Sequence, residues 1–285
     1  MSESRGRRLA ELRARAADRL RAAGVASPDH DADELLAHVL GTSRMRLGLV
    51  DEPDDARRGR FEELVARRAA REPLQHLLGT AAFRHVELAV GPGVFVPRPE
   101  TELLAGWAVE QAGPLEAPVV VDLCTGSGAI ALSLAHEVPH ARVHAVELDE
   151  GALLWAGRNL AGTGVRLVAG DLATALPELD GAVDVVVCNP PYVPLEAWES
   201  VAPEARDHDP HLALFSGADG LDAMRALERT AARLLRPGGV VGAEHAEVQA
   251  ESAPAVFART GRWSQVRDHR DLAGRPRFVT ARLAR

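Results

Sequence analysis

From Pro118 onward the chain repeats one pattern, a short aliphatic run followed by a longer helical stretch and then another apolar run. The runs are VVVDL (119–123), RVHAVEL (142–148), VRLVAG (165–170), VDVVVC (183–188) and VVGAE (240–244). Apolar runs this short, separated by helices, fit parallel strands covered on both faces by their crossover connections. The pattern therefore dictates an α/β fold around a mostly parallel sheet. Near the C-terminus, WSQVRDHRDLAGRPRFVTARL reads as two strands joined at Ala273-Gly274-Arg275, an antiparallel hairpin at the sheet edge.

Ahead of this lies a different kind of sequence. Leu9, Leu12, Ala16 and Leu20 recur at helical spacing, as do Leu35, Leu36, Val39 and Leu40 after the cap-like Ser27-Pro28-Asp29, and then Phe61, Leu64, Val65 and Arg68. Residues 81–97 (AAFRHVELAVGPGVFVP) alternate around Gly91-Pro92-Gly93 and read as a β-hairpin, with a helix from Thr101 to Ala112 after it. Three parts are expected: a helical domain over 1–75 that recognises a partner, a hairpin-and-helix linker over 76–112, and an α/β domain over 113–285. The helical part holds 15 basic and 14 acidic residues, net +1, so the remainder carries −9 and the chain's net charge of −8 comes entirely from it. A negative surface on the larger part repels a phosphate backbone, which disfavours nucleic acid as a partner.

All 33 basic residues are Arg, which excludes lysine Schiff-base chemistry and the phosphate-binding lysine of a Walker A loop. Cys124 and Cys188, the two cysteines, read as lying at separate sites with no disulfide framework and no metal-ligand spacing. No apolar run has the length of a membrane span, and the charged N-terminus lacks a signal-peptide core. The expectation is a cytoplasmic protein without a metal.

Two strand ends carry chemistry. The first apolar run enters Asp122-Leu123-Cys124-Thr125-Gly126-Ser127-Gly128, whose glycines suit a backbone bent around a ligand at a helix N-terminus. Glu147 ends the next run 19 residues past Gly128, where doubly wound folds place a carboxylate on a ribose; Asp171 follows the third run and suits an adenine amino group. Ala131 stands where a dinucleotide fingerprint has its third glycine, so an adenosyl ligand without a pyrophosphate fits better than a nicotinamide or flavin. The fourth run ends in Asn189-Pro190-Pro191-Tyr192. An amide or exocyclic amino nitrogen is a poor nucleophile, and two carbonyl acceptors, the Asn189 side chain and the Pro190 backbone, would hold its two N–H groups with the lone pair toward an electrophile. Tyr192, the only tyrosine, can stack on the planar group. The methyl sulfonium of S-adenosylmethionine suits such a site, because a neutral thioether leaves and no strong base is needed.

PLQHLLGTAAFRHVELAVGPGVFVPRPETELL (73–104), VVDLCTGSGAIALSLA (120–135), CNPPYVP (188–194) and LLRPGGVVGAEH (234–245) resemble the HemK/PrmC family of N5-glutamine methyltransferases across nearly the whole chain. The resemblance implies a seven-stranded Rossmann-like class I methyltransferase domain with a small N-terminal helical domain and a linking β-hairpin. It implies transfer of a methyl group from S-adenosyl-L-methionine, leaving S-adenosyl-L-homocysteine, to the glutamine of the Gly-Gly-Gln loop in peptide chain release factors, in support of translation termination. By motif it assigns the cofactor to Cys124, Thr125, Gly126, Ser127, Gly128, Glu147, Asp171, Leu172, Asn189 and Phe95, with Arg98 and Glu100 in the segment above, and the substrate amide to Asn189, Pro190, Pro191 and Tyr192. Asn189, Pro190 and Tyr192 are the expected catalytic residues. Cys124 departs from the family's glycine and Glu147 from its frequent aspartate.

The rivals are an N6-adenine methyltransferase, which faces the same nitrogen problem but needs a basic surface for nucleic acid, a ribosomal-protein glutamine methyltransferase, and a noncatalytic binding protein of the same fold. Asp207, Asp209 and Asp219 read as a solvated acidic stretch or an entrance lining, and Glu244-His245 as a structural pair that can orient neighbours. A monomer acting on a protein substrate, without direct nucleic-acid or membrane partners, is expected.

Overall fold

The computed structural model describes residues 2–284, with side chains from residue 8 onward. The chain divides into two compact units, one of Met1–Thr80 with Ala202–His208, the other of Ala81–Val201 with Asp209–Arg285.

The first unit is helical: Ser2–Ala22, Pro28–Leu40, Asp55–Ala69, Leu74–Leu78 and the returning Pro203–His208. Its core joins Leu9, Leu12 and Leu20 to Leu35, Leu36, Phe61 and Leu64, the stripes that the helical spacing picks out. Pro28 rather than the Ser27 hydroxyl starts the second helix, and Gly41 ends it in the left-handed region. Inside this core Arg68 is only 6% exposed and donates to Asp31 at 2.8 Å, so removing Arg68 would strand a buried carboxylate. The returning helix is tied in by Glu204, which accepts from Arg68 at 2.9 Å and from two nitrogens of Arg71 at 2.9 and 2.7 Å.

The second unit holds a two-stranded sheet of β1 (Thr80–Phe83) and β2 (Val86–Ala89), and a seven-stranded sheet. The large sheet comprises β3 (Val119–Leu123), β4 (Arg142–Glu147), β5 (Arg166–Ala169), β6 (Val183–Cys188), β7 (Leu235–Glu244), β8 (Trp263–Arg270) and β9 (Pro276–Leu283). Their order is β5-β4-β3-β6-β7-β9-β8, parallel through β7 and antiparallel at β9 and β8. Val119, Val121, Leu123, Val186 and Cys188 face one apolar layer, Val120, Val185 and Val187 the other. Both faces are thus covered, which is why the strands read as near-continuous apolar runs.

Two boundaries differ from the sequence expectation. The small hairpin turns at Arg84-His85, not at Gly91-Pro92-Gly93. Arg84 takes a φ of +50°, and its guanidinium is held by Glu137 through two 2.7 Å bonds and by the Glu102 carbonyl at 3.1 Å, which ties down a conformation glycine would otherwise supply. Gly91 serves close packing: a Cβ there would lie 2.6 Å from the Trp155 ring. The strand β7 also starts earlier than Val240, because a bulge carries Arg236–Gly239 past β6, the register passing from Val183↔Leu235 to Val185↔Val240.

Burial alone would raise the Glu204 carboxyl, but the bonds from Arg71 and Arg68 hold it at about 2. Being depressed in the folded state, it contributes stability that is complete above the ordinary carboxylate value of about 4.3 and is lost as pH falls toward 2. The Tm of the wild type should exceed that of Glu204→Gln at pH 6, and the gap should close in scans below about pH 4; a gap constant to pH 2.5 would refute the assignment.

Candidate functional site

The chain reverses its winding direction between β3 and β6, and the crevice beyond that pair's carboxyl ends is where doubly wound sheets bind ligands. Leu123 pairs with Cys188, so the glycine turn and Asn189 leave the sheet side by side. Within the turn Gly126 and Gly128 have φ of +58° and +86°. A Cβ on Gly126 would meet nothing within 4 Å, so its backbone borders open space, a cradle for a ligand that approaches main-chain atoms. Cys124 shares this left-handed geometry at φ +58° without glycine's freedom, at a cost of about 1–2 kcal/mol. Its thiol meets that of Cys188. The two cysteines are therefore neighbours rather than separate, as the β3–β6 register requires, and burial followed by this contact raises the Cys188 thiol well above its usual value.

Two acidic groups are bonded to the turn, and a third stands at the end of β5. Glu147 accepts from the Gly126 N–H at 2.8 Å and from the Leu148 and Asp149 N–H groups at 2.9 Å each. A carboxylate has about four acceptor positions, so it fixes the turn and keeps capacity for one more donor. Asp122 is fully buried and accepts from the Thr125 hydroxyl at 2.5 Å and the Ala131 N–H at 3.1 Å. Burial is the largest influence on it and pushes it up to about 7, and its Oδ1 has no hydrogen-bond partner among the described residues. An orphaned acceptor of this kind suits a cationic ligand group. Asp171 is exposed at the end of β5, where its side chain caps its own turn through the Ala173 N–H at 2.8 Å, with half-buried Leu172 beside it.

The Asn189–Tyr192 loop after β6 is pinned from several sides. Asn189 Nδ2 donates to the Thr101 hydroxyl at 3.3 Å, and the Tyr192 hydroxyl donates to Glu244 at 3.1 Å. Burial raises the Tyr192 phenol far above its usual value, with the Glu244 charge adding to it, so the ring stays neutral. The Tyr192 carbonyl accepts from Gln249 Nε2 at 3.0 Å, and Val193 exchanges backbone bonds with Leu214 and Ser216 at 2.8 and 3.0 Å. Neither Asn189 Oδ1 nor the Pro190 carbonyl has a hydrogen-bond partner among the described residues. Pro190 is buried and Pro191 half-buried.

Hydrogen bonds thus join Glu147 to the glycine turn and Asn189 to Thr101, but do not extend to Phe95 or Asp171. Phe95 is half-buried with the Arg98 guanidinium 4.9 Å from its ring centre, and Asp209 holds that guanidinium at 2.7 Å. Asp209 is 4% exposed rather than solvated; burial moves it up to about 6 against the pull of Arg98. Sequence reasoning gave no specific role to Asn159, whose side chain clamps Ala89 of β2 and the Ser127 carbonyl at 2.8–2.9 Å, or to Gln249. No spacing marks either residue. Thr101 lay in view inside PRPETE, and its helical position at the motif's end was the available signal.

A glycine turn cradling open space, strand-end carboxylates beside it, and an Asn-Pro-Pro-Tyr loop at the switch point are the parts of a class I S-adenosylmethionine-dependent methyltransferase. A family model described as the PrmC N-terminal domain matches residues 11–79, and one described as a methyltransferase domain matches 120–208. Release factor glutamine methyltransferase of Streptomyces coelicolor is 60% identical over 97% of this chain and 98% of its own length. That of Mycolicibacterium smegmatis is 54% identical over 93% and 95%. The solved catalytic domain of hMettl16, in complex with an RNA hairpin, shares the fold alone: 16% identity, a TM-score of 0.55, 69% of this chain and 75% of that one. The chain belongs to the HemK/PrmC family of release factor glutamine methyltransferases.

Gly220 (φ +75°) packs against the Tyr192 carbonyl so closely that a Cβ would overlap that oxygen and press on Gln249. Gly220→Ala should cost about 1–3 kcal/mol of stability and displace the loop. Urea unfolding and methyl transfer should both register it; an alanine variant with wild-type behaviour in both would contradict this packing.

Proposed function

We propose that the chain transfers the methyl group of S-adenosylmethionine to the side-chain nitrogen (N5) of the glutamine in the Gly-Gly-Gln loop of peptide chain release factors, supporting translation termination. The observation that carries the chemistry is the pair of carbonyl oxygens on Asn189 and Pro190, without partners among the described residues, in a loop that Glu244, Gln249 and the Val193 backbone hold. A primary amide offers two N–H donors to such a pair. Accepting both turns the nitrogen lone pair toward the cofactor crevice and favours the positive charge that grows on nitrogen in the transition state.

S-Adenosylmethionine supplies an electrophilic methyl on a sulfonium and leaves as a neutral thioether. Gly126 offers backbone to it, Asp122 Oδ1 an acceptor suited to its ammonium group, Glu147 its remaining acceptor capacity toward the ribose, and Asp171 with Leu172 the neighbourhood of the adenine. Cys124, Thr125, Ser127 and Gly128 complete the turn, and Phe95 lies in the segment over this side. Tyr192, neutral and fixed by Glu244, packs against the planar amide and excludes water. No side chain needs to act as a strong base, because the amide nitrogen becomes acidic once methylated and releases its proton to solvent.

Residues 1–75 serve to grip the release factor, with 76–112 as the linker and 113–285 as the catalytic domain. The negative charge of the larger part favours a protein over nucleic acid as the partner. No helix among the described residues is long and apolar enough to cross a membrane. The reading places the enzyme in the cytoplasm as a monomer, where translation supplies its substrate.

With methyl-labelled S-adenosylmethionine and a purified release factor, label should enter the native factor and be absent from its loop Gln→Ala variant. Asn189→Ala should lower kcat on the order of 10²-fold or more, since it removes one of the two acceptors that orient the nitrogen. Transfer to nucleic acid, or to the Gln→Ala factor, would reject the substrate assignment.

A further inference from the structure

An asparagine side chain fits its site about equally well in two orientations, and only one serves this reaction. With Oδ1 toward the substrate it accepts an N–H; turned over, it presents its own NH₂ to the glutamine NH₂ and repels it. Something must choose.

The neighbouring bonds do so by counting protons. Thr101, in the first turn of the helix Thr101–Ala112, is 4% exposed, and its hydroxyl touches two groups: Glu244 Oε2 at 2.7 Å and Asn189 Nδ2 at 3.3 Å. Glu244, 1% exposed at the end of β7, accepts the Tyr192 hydroxyl on its other oxygen at 3.1 Å. A carboxylate only accepts, and a threonine hydroxyl has one proton. That proton goes to Glu244, so only lone pairs remain on Thr101 to face Asn189, and the asparagine must turn its NH₂ that way. Its carbonyl is then turned away from Thr101, without a partner among the described residues. The helix is held against β7 closely enough for this: a Cβ on Gly242 would lie 2.4 Å from the Trp107 ring.

We propose that Glu244 is a positioning residue that acts through Thr101 to lock the Asn189 amide with its carbonyl toward the substrate nitrogen, while its second oxygen fixes Tyr192. One buried carboxylate thereby sets both ends of the reactive loop. The proposal rests on the reading of Asn189 as an acceptor for the glutamine amide.

The test uses the full chain with a release factor and labelled S-adenosylmethionine, comparing Thr101→Val, Thr101→Ser, Glu244→Gln, the Thr101→Val/Glu244→Gln double variant and Asn189→Ala. Thr101→Val keeps the shape and removes the lone pairs. Its kcat should fall about 10²-fold, the scale of a misplaced reacting group, with the KM for release factor and the calorimetric Kd for S-adenosylhomocysteine within about twofold of wild type. Thr101→Ser restores the hydroxyl and should recover most of the rate. Glu244→Gln can donate to Thr101 and so reverse the proton order; its effect should shrink in the Thr101→Val background, because the two act in series. If Thr101→Val lowers the Tm, the serine rescue and a Glu244→Gln protein of wild-type Tm decide the matter. Wild-type kcat in Thr101→Val or Glu244→Gln, with Asn189→Ala inactive, overturns the positioning role and leaves the function standing. Full activity in Asn189→Ala removes the reading on which both rest.

Discussion

The parallel pairing of β3 with β6 is the constraint from which the site follows. It sets Leu123 opposite Cys188, and the residues just beyond, the glycine turn and Asn189, must then emerge at one edge of the sheet. Methyl transfer to an amide needs little acid–base machinery but needs the nitrogen and the methyl carbon aligned at near-contact distance, and effective concentration can supply most of such a rate. A register fixed by two buried layers is a rigid way to set that alignment, because a one-residue slip would carry Val120, Val185 and Val187 out of one packed layer into the other and spoil the fit of both.

Much of this could be read from the sequence because burial on both faces writes itself into composition. The runs 119–123 and 183–188 fall on β3 and β6 to the residue. Turn chemistry was the weaker guide. Gly91-Pro92-Gly93 resembles a hairpin turn, but glycine also appears where a large ring packs against the backbone, and Trp155 is that ring. Arg84, which does form the turn, carries no turn signature; Glu137, 53 residues away, holds its side chain in place. The bulge in β7 stayed hidden for the same reason, since Pro237-Gly238-Gly239 suits a loop unless a neighbouring strand continues past it.

At the site, the residues proposed to touch ligands are more legible in the sequence than those that hold them. Asn189 and Gly126 sit in motifs whose residue types follow from the chemistry. Thr101, Asn159, Glu244 and Gln249 come from four separate segments, and each acts by a hydrogen bond to something distant in sequence. Asp209 shows the same limit, since an acidic residue in a charged stretch looks solvated until the fold buries it against Arg98.

The charge pattern then has a chemical sense. Asp122, Glu147, Glu244 and Asp209 are all buried in a unit that takes a cationic sulfonium and passes its charge to a nitrogen. Each carboxylate is anchored by hydrogen bonds instead of being neutralised face to face, except Asp209, which has Arg98. Negative potential held in a low-dielectric edge costs stability, and burial raises Asp122, Asp209 and Glu244 accordingly. That cost is fixed at folding. It lets positive charge arrive with the cofactor and move to the substrate without solvent having to reorganise around it.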